Sequence, residues 1–231
     1  MSKESKPQSR NATLGDYLNI VKNGAPPDTQ VLDKVHNLYK QLGNSSKDKI
    51  IRNLYDSFSA ILSTLGYKTG DVAELTPHRA AYGYLELLNG VQEYEDIEWR
   101  FFDIDPSAAQ LVSVSDIPFT SFCEHHLLPF WGKASIVYLP KRKVIGLDKI
   151  PKLVNAVAHN LQIQERMTNQ IADILHEKLD PQGLGVVIKA THMCVSARGV
   201  KSNCNTQTMA LRGTFKSDSS YIKYLSSHKY E

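Results

Sequence analysis

Residues 131–139, with the sequence WGKASIVYL, carry the pattern that decides the fold class. Ala134, Ile136 and Tyr138 fall on one side of an extended chain and alternate with the residues between them. A period of two predicts a β-strand with one buried face. Similar alternation, or a short apolar run, predicts four further strands, at residues 99–104, 110–117, 184–192 and 207–215.

On either side of these strands, apolar residues recur every three or four positions, which predicts helices. The predicted helices span residues 28–42, 47–65, 76–90, 148–161, 163–179 and 219–226. Thr76 is a suitable N-cap for the third helix, and Pro77 fits its first turn because proline lacks the backbone donor that is unpaired there. Residues 91–96 are predicted to be a loop, and residues 141–143 a hairpin turn that leads into a return strand at Val144.

The order of these elements predicts an α+β fold. N-terminal helices precede an antiparallel sheet, and two helices are inserted between its hairpins. We expect three parts: a flexible N-terminal arm at residues 1–27, a helical region at residues 28–95 and a catalytic domain at residues 96–231.

The composition excludes several classes of protein. The 231 residues are 42% hydrophobic and 22% charged, as in an ordinary globular protein. A net charge of +3 gives no argument for nucleic acid as a partner, and the apolar runs are too short for a membrane span. The N-terminus lacks the apolar stretch of a secretory signal, so we expect a cytoplasmic protein. Three cysteines, an odd number, argue against a disulfide framework.

Two short clusters predict a metal site. Cys123 and His126 are three positions apart, a spacing at which a thiolate and an imidazole can meet one metal ion from a tight turn. A third soft ligand is available in the stretch from His192 to Cys194. Two thiolates and one imidazole suit zinc, and three protein ligands leave a fourth position open, as in catalytic zinc sites. Two alternatives are a closed structural site with a second histidine, and cysteines that are simply core residues.

Four segments together resemble the GTP cyclohydrolase I family. They are TPHRAA at 76–81, CEHHLLPFWGKASIVYLPKRKVIGL at 123–147, LQIQERMTNQIADIL at 161–175 and ATHMCVSARGV at 190–200. The resemblance implies a tunnelling fold, in which antiparallel sheets from several subunits close into a ring. It also implies a homodecamer of two pentamers with active sites at subunit interfaces. The implied reaction converts GTP and water to 7,8-dihydroneopterin triphosphate and formate, the first step of pterin and folate biosynthesis.

The resemblance also implies roles for residues around the metal. Cys123, His126 and Cys194 match the family's zinc ligands, with one zinc ion per subunit. His125 and His192 match its catalytic histidines, and their order of action stays open. Cysteine and histidine ligands would also hold iron or cobalt, so the sequence leaves the native metal open.

The substrate contacts implied by the resemblance fall into two groups. Gln164 and Glu165 match the pair that holds guanine. A carboxylate can accept hydrogen bonds from the guanine N1–H and 2-amino groups, which adenine does not offer. Lys149 and Arg198 match triphosphate contacts, and Arg79 matches a further one from a neighbouring subunit.

Several positions depart from the family pattern at the phosphate end. Asp148 stands where a serine is usual, and it is expected to cap the helix that follows while adding negative charge. Lys152 and Asn160 stand where arginines are usual, and Tyr82 where some members have lysine. Asp148 and Lys152 are still expected to contact the substrate.

The same departures leave two alternative functions open. One is an enzyme of this fold with altered nucleotide specificity, and the other is a catalytically silent regulatory homologue. A feedback-regulator protein and the downstream pathway, whether folate, tetrahydrobiopterin or a modified tRNA base, also stay open.

The remaining reactive side chains are given structural interpretations. His78, His159 and His176 are expected to be surface residues, and Cys204 a partly buried small residue near the last strand. The basic residues at 141–143 are interpreted as a solvated turn.

Overall fold

A computed structural model of the chain describes residues 46–218. The predicted arm at 1–27 and the predicted helices at 28–42 and 219–226 lie outside the described residues. Within these residues the chain divides after Glu86 into two compact units. The three-part division predicted from the sequence stays a prediction.

The described part of the first unit contains helix α1 (Ser46–Thr64) and helix α2 (Gly70–Leu87), whose last residue lies just past the boundary. The first confirms the helix predicted at 47–65. The second begins earlier than predicted, and Pro77 lies inside it rather than in its first turn. The residues from Gly70 to Thr76 continue the helix because Asp71 suits its positive N-terminal end, and one proline removes only one backbone donor.

His78 is not a surface residue, which corrects the sequence interpretation. It is 1% exposed on α2, and its ring lies 4.3 Å from that of Tyr55. The imidazole therefore contributes aromatic packing inside the first unit.

The second unit carries the sheet. Its elements in chain order are α3 (Gly90–Glu95), β1 (Phe101–Asp103), β2 (Val112–Cys123), β3 (Pro129–Leu139), β4 (Lys143–Ile145), α4 (Lys149–Ala158), β5 (Leu161–Gln162), α5 (Gln164–Leu179), β6 (Gly183–His192), α6 (Met193–Ser196) and β7 (Asn205–Gly213). Short 3₁₀ helices also occur at Pro106–Ala108 and Thr214–Lys216.

The main sheet has the strand order β5-β2-β3-β6-β7. All of its pairings are antiparallel except that of β5 with β2, which is parallel and two residue pairs long. The prediction of an α+β fold, with N-terminal helices before an antiparallel sheet and two inserted helices, is confirmed. The strand predicted at 110–117 continues through Pro118 to Cys123, after a bulge at which Asp116 adopts a φ of 58°.

The hairpin predicted around residues 141–143 is wrong. The return strand β4 pairs with β1 in a separate two-stranded sheet, with Ile145 opposite Phe101. β3 offers β4 no free edge because β2 and β6 already pair with its two sides.

The loop predicted at 91–96 is also wrong, because α3 occupies most of it. Gly90 begins this helix, and its backbone N–H donates to the His159 carbonyl at 2.8 Å. A side chain at Gly90 would meet the Ala156 carbonyl at 2.2 Å, so only glycine permits this close approach. His159 Nδ1 lies 2.8 Å from Glu93 Oε1, so His159 is a packed hydrogen-bond partner rather than a plain surface residue.

The core lies between the sheet and the helices α4 and α5. One face of the sheet contributes Ile136, Tyr138, Val186 and Ile188, and the helices contribute residues such as Ile150, Leu153, Met167, Ile171 and Leu175, all of which are fully buried. His176, on α5, is half-buried, which corrects its interpretation as a surface residue. Burial of this apolar surface fixes the sheet against the two helices and so fixes the strand ends that carry the site.

Among the described residues, every helix is too short or too polar to cross a lipid bilayer.

Candidate metal centre and active site

The strand directions bring the two cysteine-containing segments to one edge of the sheet. β2 and β6 both run antiparallel to β3, which lies between them, so they run parallel to each other. Their C-terminal ends therefore lie at the same edge. β2 ends at Cys123, and β6 ends at His192, directly before the short helix α6 that carries Cys194.

A tight turn places His126 beside Cys123. We call residues 123–128 the metal loop. The Cys123 carbonyl accepts from the backbone N–H groups of His126 and Leu127, and the Cys123 N–H donates to the Leu128 carbonyl at 2.9 Å. Leu127 adopts a φ of 52°, in the left-handed region, to close this turn. The three-residue spacing recognised in the sequence therefore becomes a closed loop at the sheet edge.

The ligand atoms of Cys123, His126 and Cys194 lie within 4.8 Å of one another. Cys123 Sγ and His126 Nδ1 are 3.6 Å apart. A tetrahedral zinc ion with ordinary Zn–S and Zn–N bonds requires an S···N separation of about 3.6 Å. Two thiols and an imidazole at this spacing fit zinc in both chemistry and size, and they supply three ligands.

Burial raises the pKa of the Cys194 thiol, and the neighbouring Cys123 raises it further. Arg198 acts in the opposite direction, but its effect is smaller. The thiol therefore keeps its proton more tightly than a free cysteine does. A metal ion that binds here has to displace that proton.

Two contacts fix the orientation of His192, one through the face of its ring and one through a ring nitrogen. Its ring stacks on Phe130 with centroids 4.5 Å apart, because the two residues are direct partners in the β3–β6 ladder. Its Nε2 lies 2.8 Å from Gln164 Oε1. Burial lowers the pKa of His192, and the charge of Glu165 partly offsets that shift.

The bonds of Gln164 determine which nitrogen of His192 carries the proton. The Gln164 amide nitrogen donates to the Ile188 carbonyl at 3.0 Å and the Thr206 carbonyl at 3.1 Å. Carbonyls only accept, so the amide oxygen must face His192, and His192 Nε2 must donate to it. Neutral His192 is therefore the Nε2–H tautomer, and its Nδ1 keeps the lone pair.

The other residues predicted around the ligands are exposed. The His125 side chain is 66% exposed, and its Nε2 lies 3.8 Å from Glu124 Oε1. Glu165 is exposed in the first turn of α5, directly after the buried Gln164. Arg198 is exposed beyond the end of α6.

The charged residues at the start of α4 form a compact group. Asp148 Oδ2 lies 2.9 Å from Lys149 Nζ and 3.2 Å from Lys152 Nζ. Lys149 is 6% exposed. Its hydrogen bond holds the pKa of the Asp148 carboxyl below its ordinary range, and Lys152 acts in the same direction. The expected cap is not made, because the Asp148 side chain forms no capping hydrogen bond and faces the two lysines instead.

Arg79 and Asn160, two further positions singled out in the sequence, lie in different surroundings. Arg79 is exposed on α2 in the first unit. Asn160 donates to the Ala156 carbonyl at 2.9 Å at the end of α4, so it closes that helix. Cys204 is exposed, which corrects its interpretation as partly buried.

Glu124 in the metal loop forms an ion pair with Arg166 on α5 that was not predicted from the sequence. Arg166 lowers the pKa of the Glu124 carboxyl, chiefly through a side-chain hydrogen bond. One feature of the sequence could have indicated this pair. Each of the two charged residues lies inside a segment that resembles the family, immediately next to predicted site residues.

A Cys-His-Cys cluster supplies three of the four ligands that zinc prefers, and on an α+β fold it defines a candidate metal enzyme. The sequence profile of the family described as GTP cyclohydrolase I matches residues 54–228, well over half of the chain. The chain therefore belongs to the GTP cyclohydrolase I family, and the prediction that it is an enzyme of this family is confirmed. The predicted tunnelling fold is confirmed with it, and closure into a ring stays a prediction.

Individual relatives agree with this assignment. GTP cyclohydrolase 1 of Hydrogenobaculum sp. (strain Y04AAS1) is 46% identical over 145 residues, 62% of this chain and 77% of that protein. GTP cyclohydrolase 1 of Campylobacter jejuni (strain RM1221) is 50% identical over 142 residues, 61% of this chain and 74% of that protein. The bifunctional protein FolKE of Lactococcus lactis subsp. lactis (strain IL1403) is 42% identical over 175 residues, 74% of this chain and 50% of that protein.

Proposed function

We propose that the chain hydrolyses GTP to 7,8-dihydroneopterin triphosphate and formate with a zinc ion held by Cys123, His126 and Cys194. The observation that carries this proposal is the convergence of the three ligand atoms within 4.8 Å of one another in a chain of this family. Zinc held there would act as a Lewis acid and make water a nucleophile at neutral pH. The product would feed pterin and folate biosynthesis.

The two histidines next to the ligands move protons in this proposal. His192 donates through Nε2 to Gln164, so Nδ1 is the nitrogen that takes up and returns a proton. The lowered pKa of His192 keeps this nitrogen free at neutral pH. His125 is more exposed and serves the later proton transfers.

Guanine recognition falls mainly on Glu165 in this proposal. The Gln164 amide is already bonded to Ile188, Thr206 and Thr208, and its oxygen to His192. Gln164 therefore supports the site chiefly by orienting His192. The exposed carboxylate of Glu165 can accept from the N1–H and 2-amino groups of guanine. The unpaired N–H groups at the start of α5 are suited to the guanine oxygen.

The triphosphate is assigned to Lys149, Lys152 and Arg198, with Arg79 of a neighbouring subunit as a further contact. Asp148 already neutralises part of the charge of the two lysines. The phosphate oxygens therefore compete with the carboxylate for the same donors. The proposed assembly is a homodecameric ring of two pentamers in the cytoplasm, and neither membrane nor nucleic acid is a proposed partner.

The test is turnover of GTP by the purified, zinc-loaded chain. Formate is measured together with the near-ultraviolet absorbance of the dihydropterin. Both products are expected, and Cys194→Ala should lose both, while Cys204→Ala should keep them. Stoichiometric zinc binding without either product would refute the proposed reaction.

Altered nucleotide specificity is the second candidate, and the Asp148 ion pairs favour it. A carboxylate beside the phosphate donors would penalise a triphosphate more than a diphosphate. GTP, GDP and GMP are compared by their kcat/KM values. A clear preference for GTP removes this candidate, and turnover by the homomer removes a catalytically silent regulatory homologue as well.

A further inference from the structure

We propose that Arg166 and Glu124 are a positioning pair that holds the metal loop in place against the start of α5. The inference rests on the proposed zinc site, but it does not require that GTP be the substrate. Neither residue is a metal ligand, and neither is assigned to the substrate in the preceding proposal.

Arg166 makes three separate contacts with its guanidinium group. Its Nη2 contacts Glu124 Oε2 and also donates to the Leu161 carbonyl at 2.8 Å. Its Nε donates to Gln162 Oε1 at 3.1 Å. The planar group therefore binds the metal loop and both residues of β5 at once, and its rigid fork fixes their relative positions.

The backbone alone gives the metal loop little support on this side. β5 pairs with β2 over only two residues, with Cys123 opposite Gln162. The Glu124 N–H donates to the Gln162 carbonyl at 3.1 Å, which extends this short ladder by one bond. Arg166 adds a side-chain connection where the ladder ends. Without it, the loop between the ligands Cys123 and His126 would be held mainly from its β3 side.

The position of Glu124 connects this pair to the chemistry of the site. Glu124 lies between Cys123 and His125 in the sequence. One of its carboxylate oxygens contacts Arg166, and the other lies 3.8 Å from His125 Nε2. The same carboxylate that fixes the loop therefore also faces one of the two candidate proton-transfer histidines.

The pair is expected to act on the site more than on stability. The side chains of Arg166 and Glu124 are 40% and 31% exposed, and ion pairs this open contribute little to folding. Groups that orient metal ligands, in contrast, typically change metal affinity or activity about 10–100-fold when they are removed.

The test compares Arg166→Gln and Glu124→Gln with Arg212→Gln in the full chain. Arg212 Nε lies 2.7 Å from Asp173 Oδ1, so it forms a matched ion pair between β7 and α5 away from the metal loop. Zinc affinity is measured by competition with a chromophoric chelator, and the melting temperature is measured on the zinc-free protein. We expect zinc affinity to fall about 10–100-fold in the first two variants and to stay unchanged in Arg212→Gln.

A conservative and a charge-exchanged variant complete the test. Arg166→Lys keeps the charge but loses the fork, and it should recover only part of the zinc affinity. The double variant Glu124→Arg with Arg166→Glu restores an ion pair and should bind zinc more tightly than either reversed single variant. If the zinc-loaded protein turns over GTP at a measurable rate, Arg166→Gln should lower kcat by a larger factor than it raises KM.

Three results would overturn the proposal. The first is a folded Arg166→Gln protein whose zinc affinity stays within about twofold of that of the parent, well below the expected range. The second is an equal loss of zinc affinity and melting temperature in Arg166→Gln and Arg212→Gln, which would indicate a purely structural role. The third is a double variant that binds zinc no more tightly than the two reversed single variants. Loss of zinc affinity in a chain that never turns over GTP would refute the proposed function and leave this inference standing.

Discussion

Two regions of the molecule differ in how the chain assembles them. One is the candidate metal site, formed by the metal loop and Cys194, and the other is the charged start of α4. The candidate metal ligands come from two segments far apart in the sequence, and three strands of the sheet bring them together. Asp148, Lys149 and Lys152 lie within one helical turn, and their ion pairs are local.

This difference indicates how much variation each region tolerates. A change in a candidate metal ligand removes a contact that no neighbour can replace, because Cys123 and His126 depend on the end of β2 and Cys194 depends on the end of β6. A change at the start of α4 redistributes charge within one local group, in which Lys149 is buried but Asp148 and Lys152 are exposed to solvent that screens them. The departures from the family pattern at residues 148 and 152 fall in the second kind of region.

The largest effect is expected from Cys194→Ala. Loss of one of three ligands should abolish stoichiometric zinc binding and lower kcat/KM for GTP by roughly 10³-fold or more, beyond the effects of changes outside the ligand set. Metal content and formate release are the measurements. Cys204→Ala is the control, because Cys204 is exposed and lies outside the cluster. A zinc-replete, active Cys194→Ala protein would show that the three converging atoms are not the metal site.

Glu165→Gln should lower kcat/KM for GTP by about 100-fold, since it exchanges two hydrogen bonds to a charged acceptor for one neutral acceptor and one mismatched donor. The matched control is Glu177→Gln, which removes an exposed carboxylate near the other end of the same helix. Steady-state kinetics give kcat/KM for GTP in both variants. Equal losses in both variants would mean that general helix charge, and not guanine recognition, explains the effect.

The apparent zinc affinity should rise with pH between roughly pH 6 and pH 8. Displacement of the Cys194 proton alone contributes about a tenfold rise per pH unit. Burial and Cys123 raise the pKa of Cys194, so the thiol is protonated in this range and each unit of pH makes its proton easier to displace. The Asp148 pKa is lowered by Lys149, so its ion pairs are lost only as the pH falls through that lowered value.

Isothermal titration over this pH range tests the contrast between the two regions. The proton release that accompanies zinc binding is obtained from buffers of different ionisation enthalpy. An affinity that does not change with pH would mean that the thiol is already ionised before the metal binds.

The smallest effect is expected from Asp148→Asn. Release of Lys149 and Lys152 should lower KM for GTP about two- to fivefold, because the Asp148 carboxylate that they share is 58% exposed and solvent screens its charge; added salt should reduce the difference. Asp180→Asn, which breaks the exposed Lys141–Asp180 pair, is the control and should leave KM unchanged. A higher KM in Asp148→Asn would show instead that the carboxylate contributes to binding, for example by accepting from the ribose hydroxyls.

The sequence predicted the fold class and the pairing of Cys123 with His126 because both signals are local. The alternation around Ile136 and the Cys123–His126 spacing need no knowledge of the rest of the chain. The pairing of β4 with β1 could not be predicted in this way, since it depends on both edges of β3 being occupied. The helix α3 was missed for a similar reason, because Gly90 packs against the distant end of α4.

Side-chain partners were the least predictable part. Arg166 and Glu124 are 42 positions apart, and no periodic pattern connects them. Asp148 was expected to cap α4, but two nearby lysines compete successfully for its carboxylate. The sequence also placed Gln164 at guanine, whereas its full set of protein hydrogen bonds became visible only in three dimensions.

The central position of β3 has a consequence for the order of folding. β2 and β6 do not pair with each other, so the candidate ligands at their ends cannot meet until β3 has paired with both, and such non-local pairings form slowly. Zinc would then bind after the rate-limiting barrier. We expect it to slow unfolding while leaving the refolding rate nearly unchanged, a difference that stopped-flow measurements with and without the metal would detect.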